Sequence, residues 1–293
     1  MTIGVVTVFY NSERHVDCWA TSVLQQKDVD LVVIAVDNKS SDSTVEVLER
    51  WSNRDRRISV VKSASNVGIA AGNNVGADVA IRQGCDALMF LNPDVKCPPE
   101  TFIRLSEALR PGTAVSSVIV RPDGAVWYAG GRLDVGRVRG THLVDFAHGE
   151  SDYAPTCCWM SYVSDWCAVG RFDERLFLYY DDYEYMCRWK SAGLRLVVSD
   201  SAQVVHEVGG SSGGSMSAVS VKWSTSGRIV AATATLNVLQ LARFMVWFSA
   251  ARAARVIEWT IARRLDLVAA MLSGFAHGMS RASTKAPVSA QGG

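Results

Sequence analysis

An open, mostly parallel α/β sheet flanked by helices, with a helical extension at the carboxyl end, is the fold class that the sequence predicts. Three observations carry this. Short β-branched apolar runs recur from the amino terminus, helix-like segments separate them, and each run ends in polar residues. With 293 residues and 48% hydrophobic content, the chain can bury one large core, or a core with an appendage.

Residues 3–9 (IGVVTVF) and 30–36 (DLVVIAV) have the composition of parallel strands buried on both faces, with a helix-like segment between them. Asp42-Ser43-Thr44 offers a cap for the next helix, VEVLERW. ISVVK at 58–62 supplies a third strand, and NVGIAAGNNVGADVAIRQG a loop and helix. A fourth strand, ALMFL at 87–91, runs into Asn92-Pro93-Asp94. This alternation up to about residue 95 predicts a nucleotide bound at the carboxyl ends of the strands.

Beyond it, PPETFIRLSEALR is helix-like and AVSSVIV strand-like. The rhythm then breaks at RPDGAVWYAGGRLDVGRVRG, a Gly-rich stretch of hairpin and loop signals. Order returns at GRFDERLFLYYDDYEYMCRWKSAG, where an aromatic turn enters a helix, and a strand-like LRLVVSD leads to VVHEVGGSSGG. Residues 207–217 are rich in Gly and Ser, 218–281 are helical in pattern, and KAPVSAQGG is a low-complexity tail.

The formal net charge of +1 conceals a basic carboxyl-terminal fifth: nine Lys and Arg between 222 and 285 face only Glu258 and Asp266. Seven cysteines form an odd set without a C-x-x-C pair, which argues against a disulfide framework and a structural zinc site. A reducing compartment is expected. MTIGVVTVFYNSERHV carries no basic n-region followed by a long apolar stretch, so no secretory signal is visible and a cytoplasmic location is expected.

Several positions could carry chemistry. Asp37, at a strand end in VDNKSSDST, is by itself equally a turn or N-cap aspartate. Thr7 and Tyr10-Asn11 at the preceding strand end tip the balance toward a base or ribose ligand. In NVGIAAGNN, Asn66, Gly68 and Asn73 lie among small residues that allow close backbone approach to phosphate. The segment is neither G-x-G-x-x-G nor a P-loop, which counts against a dinucleotide-dependent dehydrogenase and a P-loop NTPase. Asp94, after an apolar strand, suits a hard cation bridging a carboxylate and a diphosphate. His206 in VVHEV is a weaker candidate for the same cation.

The densest cluster combines Asp173, Glu174, Asp181, Asp182 and Glu184 with Phe172, Phe177, Tyr179, Tyr180 and Tyr183. A solvated helix face would account for the acids but not the rings. An acceptor pocket uses both, with aromatics packing on a sugar and a carboxylate removing a proton.

Taken in order, VTVFYNS, VDNKSSDST, NVGIAAGNN, LNPDV, GRFDERLFLYYDDYEYMCRWKSAG and VVHEVGGSS resemble the family 2 glycosyltransferases, more narrowly their bacterial rhamnosyltransferase-like members, over roughly residues 1–240. The resemblance implies a GT-A fold and an inverting, in-line transfer from a nucleotide-diphosphate sugar, dTDP- or UDP-linked, to a polyprenyl-linked or polysaccharide acceptor. Carried onto this chain, it assigns Thr7, Tyr10, Asn11, Asp37, Asn66, Gly68 and Asn73 to the nucleotide. Asn92, Asp94 and His206 fall to an Mg²⁺ or Mn²⁺ ion. Asp182 becomes the catalytic base, with Asp181 its alternative, and Asp173, Glu174, Tyr180, Glu184 and Trp166 line the acceptor. The implied organisation is a catalytic domain over 1–225 (nucleotide-sugar half 1–95, acceptor half 96–225), a basic amphipathic extension over 226–281 and a disordered tail over 282–293.

IVAATATLNVLQLA and FMVWFSAA are apolar but interrupted by Arg243, with Arg252, Arg255, Arg263 and Arg264 close behind. No uninterrupted run reaches the ~18–20 residues of a spanning helix. One or two basic amphipathic helices are expected to lie on an anionic membrane surface, the inner face of the plasma membrane, anchored by Trp247, Phe248 and Trp259. Packing on the catalytic domain or on a second copy is the competing role. No nucleic-acid partner is expected, and a homo-oligomer is left open.

Overall fold

The computed structural model describes residues 1–145, 150–207 and 217–284. The Gly/Ser run at 208–216 and residues 285–293 of the expected disordered tail lie outside the described residues.

The first half alternates strand and helix as the sequence predicts: β1 (Thr2–Phe9), α1 (Glu13–Leu24), β2 (Asp30–Asp37), α2 (Thr44–Arg54), β3 (Ile58–Lys62), α3 (Ile69–Arg82) and β4 (Ala87–Leu91). β5 (Val95–Lys96), α4 (Thr101–Ala108), β6 (Thr113–Val120), β7 (Val126–Tyr128), β8 (Gly131–Asp134), β9 (Arg139–His142) and β10 (Glu150–Ser151) follow. The remainder is β11 (Cys158–Tyr162), α5 (Val163–Val169), α6 (Asp181–Ser191), β12 (Arg195–His206), α7 (Ala218–Thr235), α8 (Val238–Ile261) and α9 (Leu265–Ala282).

One ten-stranded sheet runs β10-β12-β6-β11-β4-β1-β2-β3, with β5 on β12 and β7 on β6, and β8 and β9 form a separate hairpin. β1, β2, β3 and β4 are mutually parallel, as are β6 and β12. The sequence pattern leaves β11 unassigned. It inserts antiparallel between β4 and β6, joining the two parallel groups. A five-residue strand flanked by no turn signal has no local signature, and only its two neighbours make it a strand.

β1 and β4 lie in the middle of this order and are buried almost throughout, which is why their sequences are unbroken apolar runs instead of alternating ones. α3 lies flush on β1 because Gly76 has no side chain: a Cβ there would collide with Val6. The small residues of GIAAGNNVGA therefore pack helix on sheet along most of their length. Behind β4, Phe90, Trp159, Trp166, Phe172 and Tyr185 form a buried aromatic cluster with ring centres 4.6–6.4 Å apart. Each such pair contributes about 0.5–1.5 kcal/mol beyond its area.

The boundary expected at 225/226 falls inside α7, which packs against α9 at Gly274 and Gly278 and presents Gly227 to the turn before α6. Among the described residues, no helix is long and apolar enough to cross a membrane. The expected anchors are corrected in part. Phe248 and Trp259 are buried against the protein, Phe248 stacked on Phe244 at 5.2 Å, while Trp247 stays 40% exposed. The outward apolar face of α8 is instead Val246, Ile257 and Ile261, continued by Leu265.

Candidate active site

A cavity of about 580 Å³ opens where β1 and β4 end, the point at which the strand order reverses direction about β1. Its floor is made by residues that follow the strands: Tyr10 and Ser12 after β1, Asn38 after β2, Asn66 and Gly68 before α3, and Asn92-Pro93-Asp94 after β4. The loops at this end tie one another down. Asp37 is buried and both its oxygens accept the Ser40 N–H at 3.2 Å. Asn11, at φ +49°, accepts the Ser41 N–H at 2.8 Å. Asn66 Oδ1 accepts from Asn38 Nδ2 at 3.0 Å and from the Gly68 N–H at 3.1 Å. Gly68 adopts φ +86° and touches the Phe177 backbone so closely that no Cβ would fit.

Next to this floor, Asp94 Oδ1 and His206 Nε2 approach to 3.1 Å, both side chains below a tenth exposed. Asp94 Oδ1 and His206 Nδ1 are nonetheless buried without a hydrogen-bond partner among the described residues. Oδ1 of Asp94 and Nε2 of His206, 3.1 Å apart, have the spacing of neighbouring ligands on one octahedral cation. No group of three or more Cys, His, Asp or Glu gathers to hold a metal among the described residues. Asp94 and His206 could together supply two ligands to a hard cation. Trp127 stands edge-on to His206 at 5.1 Å and to His142 at 4.3 Å, closing the site on one side.

Asp181 and Asp182, which line the same cavity, occupy the first turn of α6. Burial pushes both carboxyls above the ordinary carboxylate range, and the Asp182 charge pushes Asp181 further. For Asp182 the Tyr153 hydroxyl and the Tyr183 N–H pull the other way. Tyr153 donates to Asp182 Oδ2, and the Tyr183 N–H donates to Oδ1 at 2.7 Å. The helix amino terminus offers further partial positive charge. Immediately before it, Tyr179 and Tyr180 both adopt left-handed backbone, φ +67° and +69°. Such strain persists only where packing over-determines it. Gly227 of α7 lies beneath, where a Cβ would come within 2.7 Å of the Tyr179 carbonyl. Trp223 of α7 stacks on Phe177 at 4.2 Å, and His277 of α9 backs Trp223 at 5.0 Å.

The profile described as "Glycosyl transferase family 2" matches residues 4–167, more than half the chain. The chain belongs to glycosyl transferase family 2. An N-acetylglucosaminyl-diphospho-decaprenol L-rhamnosyltransferase of Mycobacterium tuberculosis is 26% identical over 72% of this chain and 78% of its own length. Two other curated glycosyltransferases match over only 36% and 66% of their own length. S. aureus TarS 1-349 in complex with UDP-GlcNAc superposes with a TM-score of 0.61 at 15% identity, covering 96% of this chain and 89% of the 1-349 chain. The mannosyltransferase PcManGT from Pyrobaculum calidifontis, in complex with GDP-Man and Mn²⁺, gives 0.57 at 14% identity over 96% of this chain and 85% of its own. These likenesses establish the GT-A fold.

Of the residues that the family resemblance singles out, Tyr10, Asn66, Gly68, Asn92, Asp94, Tyr180, Asp181, Asp182 and His206 line the one cavity. Others do not reach it. Thr7 is fully buried and accepts the Trp19 Nε1–H at 3.0 Å. Asn73 is buried in α3, and Asn11 and Asp37 brace the loop that edges the cavity. Asp173 is held by the Arg175 fork at 2.6–3.0 Å. Glu174 accepts from Asn74 Nδ2 at 3.0 Å, and Glu184 pairs with Arg188 at 2.6 and 2.9 Å. Trp166 belongs to the aromatic cluster, 5.0 Å from Phe90. Acids that looked like one acceptor cluster in sequence thus divide by partner: Arg175 holds Asp173, Arg188 holds Glu184 and Asn74 holds Glu174, while Asp181 and Asp182 line the cavity.

Sequence reasoning missed Trp127, Arg139, His142 and Tyr153, all of which line the cavity. They sit on β7, β9 and the segment after β10, where hairpin signals locate turns but not which strand faces the site. Trp127 and Tyr153 carry the best available signal, as large rings in an otherwise Gly-rich stretch.

Proposed function

We propose that the chain is an inverting sugar transferase that moves a hexose, most closely a deoxyhexose such as rhamnose, from a nucleotide-diphosphate donor to a hydroxyl of a lipid-linked or cell-surface glycan. The observation that carries this reading is that two buried centres, Asp94 with His206 and Asp181 with Asp182, line one cavity. The rhamnosyltransferase relative supports the sugar and acceptor class.

In this reading, Tyr10, Asn38 and Asn66 receive the nucleoside at the strand ends, with Asp37 and Asn11 keeping their loop in place. Asp94 and His206, with Asn92 at hand, would hold Mg²⁺ or Mn²⁺, whose charge would offset that of the donor diphosphate. Asp182 takes the proton of the acceptor hydroxyl. Its raised affinity for protons suits that task, and the Tyr153 hydroxyl and the Tyr183 N–H, one on each carboxylate oxygen, fix the orientation in which the carboxylate meets the acceptor. Asp181 beside it disfavours a second negative charge and so raises the basicity of the pair. Tyr180 supplies a ring against the acceptor sugar. The outward stripe Val246, Ile257, Ile261 and Leu265 would rest on a membrane surface and bring a lipid-linked acceptor to the cavity.

The test is a panel of nucleotide sugars with Mn²⁺ or Mg²⁺, scored for transfer and hydrolysis. Turnover that vanishes in Asp182→Asn while nucleotide binding persists is expected. Full turnover in that variant would remove Asp182 as the base, and no turnover of any donor by the parent would favour a nucleotide-sugar-binding scaffold.

A further inference from the structure

Three arginines gather beside Tyr180 at the edge of the cavity, drawn from three separate elements. Arg139 on β9 lines the cavity itself. Arg228 on α7 donates from Nε to the Arg137 carbonyl at 3.1 Å and lies 5.6 Å from the centre of the Phe248 ring. Arg252 on α8 lies 5.0 Å from the same ring. Two guanidiniums therefore share one aromatic side chain, and Trp247 adds a second ring at 5.1 Å from Arg228.

No carboxylate pairs with any of the three among the described residues, although eleven other Arg and Lys residues form such pairs. Arg252 Nε is buried without a hydrogen-bond partner among the described residues. Burial and the Arg228 charge together make the Arg252 cation harder to hold; burial raises the Tyr180 hydroxyl above its ordinary value, and the nearby Arg228, Arg252 and Arg139 charges offset part of that rise. Half-buried cations that repel one another are costly, and ring faces offset only part of that cost. An anion would satisfy all three, and forked guanidinium donors match phosphate oxygens in particular.

We propose that Arg139, Arg228 and Arg252 form a phosphate subsite on the acceptor side of the cavity, which takes the phosphate or diphosphate group of a phosphorylated acceptor. This rests on the transferase reading for what bears the phosphate, but not for the binding itself. The subsite lies next to Tyr180, two residues from Asp182, and α8 carries Arg252 on one side and the outward apolar stripe on another. A phosphate bound there would hold the sugar attached to it over the carboxylate pair while an apolar tail left along α8.

Binding of geranyl diphosphate to the full chain, in chelator and without donor, tests the proposal by titration calorimetry. The double variant Arg228→Gln/Arg252→Gln is expected to weaken the affinity by about tenfold or more and Arg139→Gln by a few-fold, with Arg243→Gln unchanged. Geraniol, which lacks the phosphates, should respond to none of them. Vesicles of phosphatidylcholine with phosphatidylglycerol separate the two sources of phosphate. Should the double variant lose the vesicles yet keep geranyl diphosphate, the arginines serve lipid headgroups and the proposal is overturned. Equal affinity of parent, double variant and Arg139→Gln overturns it as well. Arg139 is exposed, so its variant keeps the test sound if the double variant melts early. Asp182→Asn should bind geranyl diphosphate as the parent does, so an inactive parent with intact arginine dependence would sink the transferase reading and leave the subsite standing.

Discussion

At the Asp94 end of the cavity the polar groups stand on strand ends or one loop beyond them, while at the Asp182 end they come from a hairpin, a strained turn and two helices, α6 and α7. The first end inherits its geometry from β1, β2 and β4, whose ladders fix where each chain emerges. The second has no ladder beneath it. Its positions follow from contacts such as Trp223 on Phe177, Gly227 under Tyr179 and Tyr153 on Asp182. One consequence is that α7, which the expected boundary at 225/226 would split, lines the cavity with Ser224 and sets Gly227 beneath Tyr179. A second is that damage should differ in kind: loss of ligands at one end, loss of position at the other.

The largest expected effect is that of Asp182→Asn, with turnover down by about 10²–10⁴-fold and donor binding retained. The same variant should gain stability. A carboxyl whose folded pKa is raised contributes stability that is present at low pH and lost as pH rises through that pKa. Replacement by Asn should therefore raise Tm more at about pH 8 than at about pH 5. Equal shifts at both would mean that the pair is not strained by its charge.

His206→Ala breaks the other end. Thermal stabilisation by a nucleotide diphosphate with Mn²⁺ should weaken by roughly 10–100-fold in apparent affinity, the range for perturbing a metal site, while Tm without additives changes little. Stabilisation that persists unchanged would exclude His206 from that site.

Gly227→Val tests position without touching a charged group. Its side chain must displace the Tyr179 carbonyl, at a cost of about 1–3 kcal/mol, or a drop of several degrees in Tm at ~2–4 °C per kcal/mol. Transfer to acceptor should fall more than donor hydrolysis. Equal losses would show that the two ends are not separable.

The mildest effect is expected from Tyr153→Phe. Without the hydroxyl that favours the Asp182 carboxylate, its pKa rises further, so the acidic limb of the rate profile moves to higher pH. A limb that stays in place would remove Tyr153 from the positioning of the base.

Four parallel strands, their order of appearance and the Asn92-Pro93-Asp94 turn were legible in the sequence, because central parallel strands must be apolar on both faces and leave a local mark. The aspartates at 181 and 182 stood out for the same local reason, as acids crowded by rings. The role of Trp166, Asp173 and Glu184 did not, since a buried ring or a paired carboxylate has the same letters as a ligand-binding one, and only the partners Phe90, Arg175 and Arg188 separate the cases. Likewise, basic apolar helices at the carboxyl end were evident from composition, but composition is blind to which face turns inward. Tertiary packing decided that Phe248 and Trp259 are buried while Val246 and Ile257 face out. It also decided that Arg139, Arg228 and Arg252, spread over more than a hundred residues, converge beside Tyr180. Periodicity records how a segment meets its immediate layer. The meeting of three elements at one point is a long-range event, and no single segment carries a trace of it.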